Sequence, residues 1–591
     1  MNHTVENRDG MTIEWDAPIA MDDGLVLRAD IFRPMKPGRF PVIMSYGPYG
    51  KGVSFQEGYK TAWDIMAREN PDAVSGTSNR YANWEVVDPE KWVPDDYVCI
   101  RVDSRGAGRS PGYLCHNNER ENRDYHLCIE WAAAQDWCTG KVGLNGISYF
   151  AASQWRAAAT QPPHLAAICV WEGWADNYRD GNHHGGIACT FRKNWQDMQV
   201  KTVQHGVGSA GRKSPVTGEW ACGPETLDSE TLVANRENMW AELVARQFDE
   251  AYYRERSADL GKVTVPLLSA ANWGGHGLHA RGNFEGFIGA ASTQKWLEVH
   301  SGSHWAPFYT DYGVGLQKRF FNYFLKGQAN GWDAQPRVQL NVRQVGGTVL
   351  RFENEWPLAR TQWTDVHLNP AGMSLSRTPF EGEAQVGFEA MGEGVTFLSE
   401  AFQEDTEITG PSALALAVSS STQDADIFAV LRLFDPEGKE VVFQGALDPN
   451  SPLAHGWLRV SHRELDEKKS LPWRPYHTHA RYQPLAAGQI VDVQVEIWPT
   501  CIVLPKGYRL GLSLRGKDYV YDGAATTLSN MKNPMRGCGP FEHDDDIDRP
   551  AEIFGGITSL HFGQGLRNTM VVPVIPPAKP PVEIDTGTFW P

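Results

Sequence analysis

The first 345 residues alternate apolar strands with amphipathic helices, and this alternation is the strongest constraint on the fold. The strand-like runs are GLVLRADIF, FPVIMSYG, YVCIRVD, KVGLNGI, HLAAICVW, VTVPLLSAAN and KWLEVH. Helical spacing of apolar residues marks NRDYHLCIEWAAAQDW, SYFAASQWRAAAT and GVGLQKRFFNYFLKG, and Gly327 is well placed to end the last of these helices. Strands that alternate with helices predict a mostly parallel sheet covered on both faces, which is the α/β class.

A chain of 591 residues exceeds what one hydrophobic core supports, so several domains are expected. Beyond about residue 345 the pattern changes to short alternating strands, as in VQLNVRQV, ALALAVSSS, DIFAVLRLF, QIVDVQVEIW and YRLGLSLRG. This texture predicts an all-β sandwich or jelly roll. The expected division is an α/β domain in two parts, a helical cap inserted between them, and a β domain. The predicted ranges are 1–176 and 263–345 for the α/β domain, 177–262 for the cap and 346–591 for the jelly roll.

Two segments fit none of the regular patterns. Residues 51–95 lack periodicity and are rich in aromatic and polar side chains, so we interpret them as a long loop that lines a site. The final stretch, VIPPAKPPVEIDTGTFWP, is rich in proline and is expected to be extended.

Composition excludes several classes of partner. The net charge of -17 disfavours nucleic acid, which requires clustered basic residues. Neither a secretory signal nor an apolar stretch of about 20 residues is visible, so no membrane partner is expected. The nine cysteines are scattered without C-x-x-C pairs and predict free thiols in the cytoplasm. The 22 tryptophans fit large cores together with a pocket for an apolar or aromatic ligand. A homo-oligomer is compatible with the sequence.

The order strand, Gly-Ile-Ser-Tyr, helix at residues 141–160 is the layout of a nucleophile elbow, a sharp turn that exposes a serine hydroxyl above the sheet. Gly146 avoids a clash at this turn, while Phe150 stands where a strict G-x-S-x-G motif has its second glycine. The sequence therefore predicts Ser148 as the nucleophile, with a helix N-cap as the alternative role.

A serine hydroxyl needs a base to take its proton, and histidine serves best near neutral pH. In α/β-hydrolases the chain order is serine, acid, then histidine after the last strand, which selects His304. His300 lies on the strand itself and is expected to be a core residue. His184, His276 and His279 come too early for this order.

The acid is harder to place, because the loop after the penultimate strand, SAANWGGHGLHARGN, contains no carboxylate. Glu172, directly after the preceding strand, is the predicted partner of His304, and Asp176 is the alternative. A carboxylate fixes the imidazole tautomer and stabilises imidazolium. For the oxyanion, the backbone N–H of Tyr149 supplies one donor and the hydroxyl of Tyr49 a second.

The ordered motifs YGPYGKG, RVDSRGAGRSPG, GISYFAASQW and ADNYRD, followed by His304, resemble those of the cocaine esterase, X-Pro dipeptidyl-peptidase and α-amino acid ester hydrolase family. The later segments ITGPSALALAVSSS, DADIFAVLRLFDPEG, GWLRVSHREL and KGYRLGLSL are similar to the jelly roll of that family. The resemblance implies an α/β-hydrolase fold with a cap and a jelly roll, and an oxyanion hole formed by Tyr49 and Tyr149. Gly275 stands where the family has its catalytic Asp, so the acid is not carried over, and the carboxylate cluster that binds an α-amino group is incomplete.

These observations predict a serine hydrolase that cleaves a small-molecule ester or amide through a Ser148 acyl-enzyme, with no cofactor. An acyltransferase and an amide hydrolase like the X-Pro dipeptidyl-peptidases are alternatives with the same chemistry. From another class, a carbohydrate-binding or other ligand-binding protein is an alternative. A metal site is not predicted, because Asn182-His183-His184, His276-x-x-His279 and the acidic run 542–546 lack a recognised ligand set.

Overall fold

A computed structural model describes residues 2–529 and 535–577 of the chain. Residues 578–591, which hold most of the proline-rich stretch predicted to be extended, lie outside the described residues. Up to residue 171 the strands are β1 (Thr4–Arg8), β2 (Met11–Ala20), β3 (Val26–Pro34), β4 (Phe40–Gly47), β5 (Val98–Asp103), β6 (Cys138–Ile147) and β7 (Leu165–Trp171). The helices of this part are α1 (Phe55–Gly58), α2 (Lys60–Glu69), α3 (Pro89–Trp92), α4 (Glu119–Ala133) and α5 (Tyr149–Ala159).

The segment that follows β7 consists of short elements. They are β8 (His183–His184), β9 (Ile187–Ala188), α6 (Phe191–Trp195), α7 (Ser229–Ala234), α8 (Met239–Ala245) and α9 (Ala251–Glu255). Helix α6 continues into a π-helical turn, Gln196–Val200. The chain then returns to the first sheet with β10 (Leu267–Asn272), α10 (Ala280–Gly289), β11 (Lys295–His300), α11 (Ala306–Tyr309), α12 (Asp311–Lys326), β12 (Val338–Gln344) and β13 (Gly347–Glu353).

The first sheet has the strand order β1-β2-β3-β5-β4-β6-β7-β10-β11-β12-β13. The strands from β5 to β12 in this order pair in parallel, and antiparallel strands lie at both edges. Two clusters of buried apolar side chains contain residues from its strands. The predicted α/β-hydrolase arrangement is thereby confirmed.

The β domain contains β14 (Gln362–Asn369), β15 (Ser374–Ser376), β16 (Ala384–Glu389), β17 (Val395–Ser399), β18 (Thr406–Ser420), β19 (Asp426–Phe434), β20 (Glu440–Val441), β21 (Ala454–Arg459), β22 (Val491–Leu504), β23 (Arg509–Arg515), α13 (Ala551–Phe554), β24 (Ile557–Phe562) and β25 (Thr569–Ile575). Strand β18 pairs with both β22 and β25, which closes the sheet on itself. Alternate residues of these strands fill an interior of leucine, valine and isoleucine. The predicted all-β second domain is confirmed.

A further apolar cluster joins the two domains. It contains Leu297 and Val338 from the first sheet and Phe428, Trp457 and Trp498 from the β domain. Because these side chains are shared, the β domain packs directly against the part of the first sheet that carries β11.

Three sequence-based expectations need adjustment. The first sheet continues to Glu353, beyond residue 345, because β13 forms an antiparallel pair with β12. Residues 51–95 contain helices α1, α2 and α3, two of them capped by the side chains of Ser54 and Asp88, rather than a loop alone. The cap predicted to be helical consists of short pieces, and α7 and α8 are separate because the side chain of Asn238 caps a new helix start. Gly327 ends α12 in the left-handed conformation, as predicted.

Candidate active site

Five neighbouring parallel strands end at one edge of the first sheet, and four predicted site residues and one further histidine follow these ends. In open α/β sheets this carboxyl edge is where ligands bind. Tyr49 follows β4, Ser148 follows β6, Glu172 follows β7, His279 comes after β10 and His304 after β11. All five side chains are buried.

The turn at Ser148 has the strained backbone of a nucleophile elbow. Ser148 has φ 58° and ψ −114°, a conformation that residues other than glycine rarely adopt. A Cβ on Gly146 would lie 2.6 Å from the Cβ of Phe150, so glycine is required there. The ring of Phe150 packs against Gly47. A Cβ at residue 47 would lie 2.7 Å from this ring, so the glycine leaves the space that Phe150 occupies. The Ser148 side chain makes no capping hydrogen bond to α5, so it is free to face the cavity.

The Ser148 hydroxyl pairs with His279 rather than with His304. The distance from Ser148 Oγ to His279 Nε2 is 3.0 Å. The expected direct contact with His304 is not formed, because both ring nitrogens of His304 are taken by carboxylates. The rings of His279 and His304 stack at 4.6 Å between centroids, so His304 lies directly behind the histidine that touches the serine.

Behind the serine, carboxylates and imidazoles alternate in a buried chain. Glu298 contacts His300 Nδ1 at 2.7 Å, and His300 Nε2 contacts Glu172 at 3.1 Å. Glu172 contacts His304 Nδ1 at 2.8 Å, and His304 Nε2 contacts Glu85 at 3.0 Å. Each imidazole therefore lies between two carboxylates.

This alternation separates the protonation states of the two stacked histidines. Burial alone would lower the pKa of His304, but Glu172 and Glu85 outweigh it and raise the pKa well above its usual range. Burial, together with the charge of His304, keeps the pKa of His279 well below its usual range. Near neutral pH His304 is thus an imidazolium and His279 is neutral, with a lone pair available to accept a proton.

The two carboxylates around His304 differ from each other. Burial raises the pKa of Glu85 to about 7, only partly opposed by His304. Burial would also raise the pKa of Glu172, but His304 and His300 together lower it below its usual range. Glu172 is therefore ionised, while Glu85 titrates near neutrality.

The structure places the two acid candidates very differently. Glu172 touches His304, and its other carboxylate oxygen accepts a bond of 3.2 Å from Asn272 at the end of β10. Asp176 instead forms an ion pair of 2.8 Å with Arg179 and accepts the backbone N–H of Tyr178. The alternative acid is thus occupied within its own turn and makes no bond to His304 among the described residues.

The two expected oxyanion donors lie close to the serine. Trp195 Nε1 donates to the Tyr49 hydroxyl oxygen at 3.0 Å, which leaves the Tyr49 proton available for another acceptor. The Tyr149 hydroxyl donates to Glu121 at 2.7 Å and is held in the core. Its backbone N–H begins α5, where the first N–H groups have no partner within the helix.

The serine opens into a cavity of about 30 Å³. Seven aromatic side chains line it: Tyr49, Tyr59, Trp84, Trp174, Phe191, Trp195 and Trp305. Glu85, Arg192, His279 and His304 add the titratable groups. Tyr59, Trp84 and Glu85 come from residues 51–95, the segment interpreted as part of the site.

A family model described as X-Pro dipeptidyl-peptidase (S15 family) matches residues 23–306, which include Ser148, Glu172, His279 and His304. The model of the X-Pro dipeptidyl-peptidase C-terminal non-catalytic domain matches residues 330–529. A crystal structure of a CocE/NonD family hydrolase from Staphylococcus aureus has 31% sequence identity and a TM-score of 0.82, and covers 97% of this chain and 96% of its own. The chain belongs to the X-Pro dipeptidyl-peptidase (S15) family. It is therefore an enzyme of a hydrolase family.

Other relatives of this S15 family member include esterases and a peptidase. The cocaine esterase of a Rhodococcus species is 22% identical over 86% of this chain and 92% of its own length. An α-amino acid ester hydrolase, at 14% identity and a TM-score of 0.65, has the same fold over 97% of this chain and 98% of its own. An aminopeptidase from a Thaumarchaeota archaeon also has this fold. It is 14% identical, with a TM-score of 0.67 over 98% of this chain and 97% of its own.

Three residues of the site are not predicted from the sequence. His279 precedes the last strand, but it follows β10 and so shares a sheet edge with the other site residues. The only signal for Glu85 is its place in residues 51–95, the segment interpreted as lining the site. Arg192 belongs to no motif, and only the folded chain brings it to the serine.

Among the residues that the structure describes, two groups of side chains could bind a metal ion. One is Glu172, His279 and His304, and the other is His184, Cys189 and His543. In the first group the His304 imidazolium already supplies the positive charge that Glu172 and Glu85 require. In the second, His184 Nδ1 and His543 Nε2 are 2.8 Å apart, a distance that a shared proton satisfies.

Across the described residues, each helix is too short or too polar to cross a membrane. All nine cysteines lie within the described ranges, and each is a free thiol.

Proposed function

We propose that this protein is a serine hydrolase that cleaves carboxylic esters of small molecules through a Ser148 acyl-enzyme. The observation that carries the proposal is the 3.0 Å contact between Ser148 Oγ and His279 Nε2 on a strained elbow. A serine next to a neutral imidazole is the arrangement that nucleophilic catalysis requires. The membership of the S15 family supports the same class of reaction.

In the first step Ser148 Oγ attacks the ester carbonyl carbon while its proton moves to His279 Nε2. The developing oxyanion accepts hydrogen bonds from the Tyr149 backbone N–H and the Tyr49 hydroxyl, and each such donor is worth about 3–4 kcal/mol. The C–O bond then breaks, and the leaving alcohol takes the proton from His279. Water repeats the sequence on the acyl-enzyme and releases the acid and free Ser148.

The buried charges behind His279 act in two directions on the proton that this histidine acquires, because Glu172 attracts it and the His304 imidazolium repels it. With Glu172 and Glu85 ionised and His304 protonated, these three groups carry one net negative charge. The two carboxylates then offset the repulsion between His304 and a proton on His279 in the transition state, a role comparable to that of the carboxylate in a serine triad. In this proposal Glu172, the acid predicted from the sequence, supplies the attraction, and His304 holds the two carboxylates in place.

Ester cleavage is favoured over cleavage of X-Pro peptides by the charges in the cavity. A peptide substrate presents an α-ammonium group, which requires open carboxylates. Glu85 is paired with His304, and Arg192 adds a positive charge. The aromatic side chains of the cavity favour a substrate with an apolar or aromatic part.

The proposal is tested by covalent labelling. A fluorophosphonate is expected to form one adduct, located at Ser148 by mass spectrometry of the peptides, because the reagent needs an activated hydroxyl beside an oxyanion hole. Prior treatment with a strong chelator should leave the labelling unchanged. An adduct on another residue, or none, would contradict the proposal.

Activity is also expected to depend on the ionisation of Glu85. Since burial raises the pKa of Glu85 to about 7, lowering the pH through this value neutralises the carboxylate. The chain behind His279 then loses its net negative charge, and kcat/KM for an uncharged 4-nitrophenyl ester should fall by up to tenfold per pH unit. In Glu85→Gln this acid limb should disappear between pH 6 and 8. An unchanged acid limb in Glu85→Gln would show that another group controls it.

A further inference from the structure

One buried cation in the cavity is not used by the proposed mechanism. Arg192 lies on α6 and is 1% exposed. Its Nε donates to Asn182 Oδ1 at 2.8 Å, while Nη2 is buried and has no hydrogen-bond partner. Within the described ranges, Arg192 has no carboxylate at ion-pair distance. A buried guanidinium in this state is costly, because an uncompensated charge has lost its water.

Other buried arginines of this chain are satisfied in two ways. Arg459 pairs with Asp426 at 2.9 Å, and Arg281 pairs with Asp180 at 2.9 Å. Arg101 and Arg343 have no carboxylate, but both direct a terminal nitrogen at backbone carbonyls. Among the described residues, the terminal nitrogens of Arg192 bond to neither a carboxylate nor a backbone carbonyl, so they remain available to a ligand.

The aromatic surroundings of Arg192 fix its position without neutralising it. Its guanidinium lies 4.7 Å from the ring centre of Trp174 and 5.6 Å from that of Trp195. Contacts with ring faces stabilise a desolvated cation by about 2 kcal/mol, but they do not supply a counter-charge. The same two rings connect Arg192 to the reaction centre, since Trp195 donates to Tyr49 and Trp174 lies 6.0 Å from the His279 ring.

The helical segment that carries Arg192 presents several side chains to the cavity. Phe191, Arg192, Trp195 and Gln199 all line the cavity, although they span α6 and the π-helical turn after it. A π-helical turn widens the helix by one residue, and such turns occur often at functional sites. Residues 192, 195 and 199 are three and four positions apart, so they lie on one face of the helical segment, and that face borders the cavity.

We infer that Arg192 binds a carboxylate on the substrate, so that the preferred substrates are small esters that also carry an acid group. The inference rests on the proposed ester hydrolysis and specifies the substrate class. Arginine suits this role because its planar fork offers two parallel N–H bonds to a carboxylate. Burial also lowers the pKa of Arg192 to about 10, still high enough to keep it charged at neutral pH.

Two matched pairs of esters test the inference. The acyl pair is 4-nitrophenyl hydrogen succinate and 4-nitrophenyl butyrate, and the leaving-group pair is 4-acetoxybenzoic acid and 4-acetoxybenzamide. For at least one pair the wild type should prefer the acid by kcat/KM. In Arg192→Gln that preference should fall by about 10- to 100-fold, the range for a charged hydrogen bond, mainly through KM. Arg192→Lys should restore part of it.

The control removes a positive charge one residue away. Lys193 is exposed and lies outside the cavity, so Lys193→Gln should leave both ratios unchanged. Binding provides a second readout that needs no turnover. Monomethyl succinate should bind to Ser148→Ala by calorimetry, and adding Arg192→Gln should weaken this binding by a similar factor.

The inference is overturned if the ratio of kcat/KM for acid ester to neutral ester is the same in wild type and Arg192→Gln for both pairs. If Arg192→Gln in that case slows all four esters equally, the guanidinium stabilises the oxyanion instead. Hydrolysis of the neutral esters without an effect of Arg192 on the ratios would reject the inference and leave the proposed function intact. Failure to hydrolyse any of the four esters, together with no labelling of Ser148, would reject both.

Discussion

Ser148→Ala is expected to lower kcat for 4-nitrophenyl esters by at least about 10⁴-fold, because loss of a serine nucleophile removes the covalent route altogether. Residual turnover would come only from the oxyanion donors and from binding. The measurement is kcat at saturating ester, followed by the release of 4-nitrophenol.

The fold should tolerate this change. The Ser148 hydroxyl bonds to His279 and makes no cap to α5, so alanine removes one hydrogen bond and keeps the same backbone conformation. Ser153→Ala is the matched control, since Ser153 is a buried serine on the same helix whose hydroxyl only approaches backbone carbonyls. The control should retain activity. Retained activity in Ser148→Ala itself would remove the acyl-enzyme from the proposal.

The fold could be predicted because its determinants are local. Runs such as FPVIMSYG and HLAAICVW are apolar throughout, as expected of strands buried on both faces, and they became β4 and β7. The turn at Gly146 and Ser148 could be recognised for the same reason, since a tight strand-to-helix turn imposes its residues locally. The boundary between the domains was less accessible, because β13 has a half-polar pattern that fits either domain.

The site could be predicted only in part, because contacts between side chains depend on the tertiary structure. The pairing of Glu172 with His304 was accessible, since both follow neighbouring strand ends. The position of His279 was not, because it depends on how the glycine-rich loop 273–278 brings α10 towards the serine. Glu85 illustrates the same limit. Its carboxylate occupies the ring nitrogen of His304 that the sequence assigned to Ser148.

The largest remaining effect concerns the two stacked histidines. His279→Gln is expected to lower kcat/KM by about 10²- to 10⁴-fold, the usual contribution of a general base, because glutamine cannot accept the proton of Ser148. Stability should change little, since His279 is neutral and forms no ion pair with any residue of the described ranges. His276→Gln, in the same loop but directed at His455 and Trp498, is the matched control and should keep its activity.

His304→Gln should behave differently, because it leaves Glu172 and Glu85 without the charge between them. Removing one partner of a buried ion pair costs about 3–5 kcal/mol, so the midpoint of thermal unfolding should drop clearly. The two variants therefore separate proton transfer from charge compensation: His279→Gln loses activity at unchanged stability, and His304→Gln loses both. If instead His279→Gln stays active and His304→Gln matches Ser148→Ala, His304 is the base. Glu85 must then release His304 before it can reach the serine, and the Ser148–His279 contact belongs to the resting enzyme.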